Sequence, residues 1–136
     1  MKTTAKNLVD AAITAREKSY CPYSKFAVGA ALLTKEGKVY TGANIESVSF
    51  TPTVCAERVA FFSAIHNGEK EFKAIAIVGA KKGEEISAFC SPCGVCRQVM
   101  QEFCDKDFEI HLYNGEDIKT FRLIEIFPEA FNNNIL

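Results

Sequence analysis

The feature that most constrains this chain is that two of its apolar helical stretches each begin with cysteine. "CAERVAFFSAI" runs from Cys55 to Ile65, and "CGVCRQVMQEF" runs from Cys93 to Phe103. Apolar residues lie almost all round a helix over 54–66, which predicts burial on several sides. A thiol, an acid and a permanent cation (Cys55, Glu57 and Arg58) are thereby carried to the edge of the core. Charged groups there are costly unless they are paired.

Cys93 and Cys96 are three residues apart, and at the start of a helix that spacing brings both sulfurs to one face. The free backbone N–H groups and the helix dipole favour thiolate at that position. Two such thiolates suit a zinc ion, and Cys55, opening the other helix, is the candidate third ligand. A dication on three thiolates leaves a net anionic centre. Arg58 and the two helix N-termini are suited to compensate it. Glu57 lies two residues from Cys55, about 200° round a continuous helix, so it need not be a ligand. With Cys55 at the cap, the carboxyl turns over the metal's open position, where it can act as a general acid–base group.

Other readings compete with this one. Glu57 and Arg58 could form a solvated, charged helix start. Cys90, Cys93 and Cys96 read C-x2-C-x2-C, and with Cys55 they could close a structural site of four sulfurs. An iron–sulfur run would need a further cysteine where the chain has Met100. Cys21 and Cys104 read as buried small apolar residues, and His66 and His111 as surface or hydrogen-bonded residues.

Around these stretches the pattern is that of one α/β domain over 1–136, with a mixed sheet between helices. Leu8, Val9, Ala12, Ile13 and Ala15 form a helical stripe in residues 4–19. "FAVGAALLTKEGKVYTGANIES" predicts two strands joined by a turn at Lys35–Lys38. "KAIAIVGA" predicts a strand covered on both faces. Val95, Val99, Met100 and Phe103 are assigned as the core face of a helix over 93–104. "FEIHLY" and "IKTFRL" predict two last strands, one of them at an edge. The 16 basic and 17 acidic residues are interspersed and leave a net charge of −1, which argues against a nucleic-acid footprint. The N-terminal residues mix charges, and no window approaches the ~20 apolar residues of a membrane span. This predicts a cytoplasmic chain without a membrane partner. Thiols stay reduced there, so its six cysteines point to metal or catalysis.

"CAER" at 55–58 and "PCGVC" at 92–96 stand with "YCPYSKFAVGAALLT", "GANIES", "SPCGVCRQVMQEF" and "FPEAF". Together, in order and spacing and over nearly the whole chain, they resemble the cytidine deaminase family of small zinc-dependent nucleoside deaminases. The resemblance implies a three-layer α-β-α fold with a five-stranded mixed sheet. It implies one Zn2+ per chain on Cys55, Cys93 and Cys96, with Glu57 as proton shuttle. The implied activity is hydrolytic deamination of cytidine and 2'-deoxycytidine in pyrimidine salvage. Cysteine as the first ligand is similar to the compact tetrameric class.

The same resemblance implies that Phe26 packs on the pyrimidine and that the Ala56 N–H meets its O2. Asn44 and Glu46 would bind the ribose hydroxyls; side chains two apart on a strand do share a face. Phe131 would cap the site of a neighbouring subunit, so that a homotetramer shares its active sites. Phe50 departs from the tyrosine common in the family, "FTPTV" is an unusual lead-in to Cys55, and Cys90 is read as a bystander. The alternatives are a related deaminase of a cytosine-containing antibiotic nucleoside and a non-enzymatic module with a closed four-cysteine site. A polynucleotide substrate would require an electrostatic groove that the sequence does not supply.

Overall fold

In the computed structural model, which describes residues 2–136, Thr4 caps the first helix, α1 (Ala5–Arg16), in a reciprocal capping box with Asn7. Strands β1 (Phe26–Thr34) and β2 (Val39–Ala43) pair antiparallel through a tight turn with Gly37 at φ 98°. Helix α2 (Ala56–His66) stops at Asn67, and Gly68 takes a left-handed φ of 92°. Strand β3 (Phe72–Lys81), helix α3 (Gly94–Phe103) and strands β4 (Glu109–Tyr113) and β5 (Ile118–Arg122) follow. A short turn of helix, α4 (Leu123–Ile126), is one the sequence pattern does not announce.

Among the described residues the strands form one five-stranded mixed sheet in the order β2-β1-β3-β4-β5, with β3 parallel to β4 and the other pairs antiparallel. Strand β3 is central and buried throughout from Ala74 to Ala80, as its near-continuous apolar run predicts. The period of two along each strand divides the core between the two faces of the sheet. Ala31, Leu33, Ala74, Ala76 and Val78 face α1, meeting Leu8, Val9 and Ala12. Ala30, Leu32, Ile75, Ile77, Ile110 and Leu112 face the other way, against Ala60, Phe61 and Ala64 of α2 and Cys96 and Met100 of α3. The result is the three-layer α-β-α arrangement. None of the described helices is long and apolar enough to cross a membrane.

Two features set where α2 begins. A Cβ at Gly42 would lie 2.4 Å from the Ala56 carbonyl oxygen and 2.6 Å from the Ala60 nitrogen. The missing side chain therefore lets the first turn of α2 lie directly on β2. Farther along the helix, Phe61 is fully buried and meets Phe72 edge-on at 5.2 Å between centroids.

The expected core face of the helix after Cys93 needs correction. Cys96 and Met100 are the buried residues, Val99 is partly buried, and Val95 and Phe103 are 57% and 37% exposed. The sulfur of Cys96 must face α2, and this rotates the stripe formed by Val95 and Phe103 away from the sheet.

Candidate metal centre

Cys55 and Cys93 are the N-cap residues of α2 and α3, and neither side chain makes a capping hydrogen bond. Each helix thus gives up the usual side-chain cap and leaves a sulfur free at its positive end. Cys96, on the first turn of α3, completes the group, and the three Sγ atoms lie within 4.8 Å of one another. Cys55 Sγ and Cys93 Sγ are 3.7 Å apart. Sulfurs bound tetrahedrally to one zinc at about 2.3 Å stand about 3.8 Å from each other, so the cluster fits that ion. Three thiolates with a fourth corner left over are the donor set of an open site.

The electrostatics agree with this geometry. A hydrogen bond from the Cys96 thiol, supported by Arg58, holds the Cys55 thiol well below its ordinary range. Cys96 is pushed the opposite way by that same bond and by burial, because neighbouring sulfurs resist ionising together. Arg58 donates from Nη2 to Cys55 Sγ at 3.5 Å. Its Nε is buried without a hydrogen-bond partner.

Glu57 is only 4% exposed, which removes the reading of a solvated helix start. Burial pushes its carboxyl up to about 7, the range in which a proton shuttle works best at neutral pH. Ala56, at the first position of α2, is fully buried, and the N–H groups of a first turn lack helical partners.

Cys90 is not part of the sulfur cluster. It precedes Pro92 and lies outside α3, so the three-residue spacing that aligns Cys93 with Cys96 does not align it with Cys93. Burial pushes its thiol up to about 11, but Cys96 is pushed up as well, so it is position outside the cluster that sets Cys90 apart. Cys21 is buried, Cys104 is partly buried, and His66 is exposed. His111 is buried and hydrogen-bonded through Nδ1 to the Thr120 hydroxyl at 2.7 Å.

Phe26, at the start of β1, is 38% exposed. Asn44 and Glu46 follow β2, on an extended stretch where Ile45 bridges Tyr20 and Val54. The Asn44 amide is largely committed to the fold. Its Oδ1 accepts from the Val28 N–H at 2.8 Å and from the Ser19 hydroxyl, and its Nδ2 donates to the Phe26 carbonyl at 2.8 Å. One N–H of that amide remains. Glu46 Oε1 accepts from the Tyr23 and Ser24 N–H groups at 3.0 and 3.1 Å, and Oε2 accepts from the Ser24 hydroxyl. The Ser24 hydroxyl holds this carboxyl below its usual range. Ser19 and Ser24, which hold these two side chains, carry no distinguishing signal in the sequence, where lone serines in a loop are common. Phe50 has a left-handed φ of 63° and is 72% exposed. Phe131, 56% exposed, lies in the C-terminal tail, and its carbonyl accepts from Gln98 Nε2 on α3 at 2.9 Å.

Comparison with known proteins points the same way. Residues 2–112 match the family model described as the cytidine and deoxycytidylate deaminase zinc-binding region. A cytidine deaminase from Sporosarcina psychrophila is 46% identical over 90% of this chain and 87% of its own length. One from Halalkalibacterium halodurans is 47% identical over 91% of each chain. The crystal structure of cytidine deaminase from Burkholderia pseudomallei superposes with a TM-score of 0.85 at 45% identity, over 94% of this chain and 99% of that one. With a three-sulfur cluster that fits zinc at the joined ends of two helices, and with a matching fold, the chain belongs to the cytidine and deoxycytidylate deaminase zinc-binding family.

Proposed function

We propose that this chain hydrolyses cytidine and 2'-deoxycytidine to uridine and 2'-deoxyuridine, releasing ammonia, as a step of pyrimidine salvage. The observation that carries the reading is the three-sulfur cluster set beside a buried, unligated carboxyl at Glu57. Cys55, Cys93 and Cys96 would hold Zn2+, which when bound supplies the Lewis acidity that makes water nucleophilic near neutral pH. Glu57 takes a proton from the attacking water, delivers it to ring N3, and then carries a proton to the departing amine. Water adds at C4, ammonia leaves, and Glu57 ends in the state in which it began. Arg58 offsets the negative charge gathered at Cys55.

Phe26 packs on the pyrimidine, and the Ala56 N–H donates to its O2. The remaining Asn44 N–H and the Glu46 carboxylate take the ribose hydroxyls. In this reading Asn44 both fastens β1 and binds the sugar, since most of its amide already serves the backbone. The named activity of the relatives favours free nucleosides over an antibiotic nucleoside. The position of Cys90 outside the cluster counts against a closed four-cysteine module.

The assembly we infer is a homotetramer in which Phe131 of one subunit caps the site of another. Supporting it, Val95, Phe103 and Phe131 leave an apolar stripe and an aromatic side chain uncovered on or beside α3. The cytosolic setting rests on six free cysteines, a state kept by reducing compartments. The deciding experiment incubates purified protein with cytidine, follows the loss of its ultraviolet absorbance, and measures zinc per chain. Zinc-loaded protein that leaves cytidine intact would sink the proposal.

A further inference from the structure

The face of β3 that carries Ile75 and Ile77 towards α2 and α3 continues at Gly79, where there is no side chain. A Cβ built there would meet Cys90 Sγ at 2.8 Å, Phe26 Cε2 at 3.0 Å and Cys90 Cβ at 3.2 Å. Cys90 and Phe26 therefore come down onto the same spot of the sheet, one from the segment before α3 and the other from the start of β1. Cys90 also packs against the core cluster that holds Cys96 and borders Cys55. Gly79 is paired with Val28 in the sheet, so a methyl at this point has to displace Cys90 and Phe26. Any such displacement moves the Phe26 ring, which the proposed function sets against the pyrimidine.

We propose that Gly79 and Cys90 are specificity-determining positions: the bare backbone of one and the small thiol of the other set the depth of the base pocket, and hence which pyrimidines fit. The inference rests on the role of Phe26 given under Proposed function, and it gives Cys90 a place as a pocket wall, where a fourth metal ligand is neither needed nor formed. One methyl more or less in such a pocket is worth about tenfold or more in discrimination.

Steady-state kinetics of the zinc-loaded protein test this. Gly79→Ala should raise KM for cytidine about tenfold, with kcat and zinc content near the wild-type values. Adding Cys90→Gly to Gly79→Ala removes both Cys90 contacts and should recover most of the loss. Cys90→Ala alone deepens the pocket, so kcat/KM for 5-methylcytidine relative to cytidine should rise severalfold. An unchanged KM in Gly79→Ala, no recovery in the double variant, or an unmoved substrate ratio in Cys90→Ala would each overturn the assignment. If Gly79→Ala does not fold, the Cys90→Ala ratio decides alone. Wild-type protein inactive on cytidine would remove the underlying function. Active wild type with an unchanged Gly79→Ala removes only the inference about the pocket.

Discussion

Cys55 Sγ and Cys93 Sγ stand 3.7 Å apart although 38 residues separate them in the chain. Each caps a different helix, so the cluster ties the N-termini of α2 and α3 together. A cation on these sulfurs is part of the fold as well as of the chemistry.

Stripping the metal should therefore lower stability. A ligand held at a hundred times its Kd adds about 2.7 kcal/mol, and for a chain of this size that moves Tm by on the order of 10 °C. Calorimetry before and after chelation measures the shift. Cys55→Ser should show the lowered Tm without chelator, whereas Cys90→Ser should keep one zinc per chain. Equal zinc loss in both variants would restore the four-sulfur reading.

Glu57 is buried, and its carboxyl is poised near neutrality. Glu57→Gln preserves shape but cannot carry a proton. Zinc content and the circular dichroism spectrum should match wild type, while kcat for cytidine should fall by at least ~10²–10⁴-fold. Turnover within a few fold of wild type would show that another group moves the proton.

The sequence made the helix starts, the central strand and the Cys93–Cys96 pair legible, because each is a local matter of spacing and periodicity, whereas the meeting of Cys55 with that pair across 38 residues is a matter of the fold. The exposure of Val95 and Phe103 was not legible: an apolar stripe marks a face without saying whether the sheet covers it. Gly42 and Gly79 signal close approach within a strand, but only the fold shows that Ala56, Cys90 and Phe26 do the approaching. The resemblance implies a sugar contact for Asn44, and only the fold shows that most of its amide also fastens β1. Alternation along a strand gives the face of a side chain and not its partners.

His111 supplies a pH dependence remote from the metal. It is 6% exposed, and burial holds its pKa below the ordinary value, against an opposing pull from Glu109 at 3.7 Å. The folded chain therefore binds this proton less readily than the unfolded one. The His111 contribution is fully present above about pH 6.5, the unfolded value, and is lost as pH falls through the folded value. Denaturant titrations between pH 7 and 5 should show wild type losing stability more steeply than His111→Gln, by no more than one proton's worth of slope. Parallel slopes would mean that Thr120 and Glu109 leave the ring as easily protonated as in water.

The shared site can be tested by mixing subunits. In the proposed tetramer Glu57 acts within its own chain and Phe131 acts on a neighbour, so the two defects fall on different partners. Phe131→Ala alone should raise KM for cytidine, since the exposed aromatic ring would no longer cover the base. Glu57→Gln alone should be inactive. When the two are unfolded and refolded together with zinc, some sites combine an intact Glu57 from one chain with an intact Phe131 from another. Those sites should show wild-type KM, and their share of the remaining activity should grow as the share of Glu57→Gln chains increases. If every mixture shows only the KM of Phe131→Ala, Phe131 acts within its own chain or not at all.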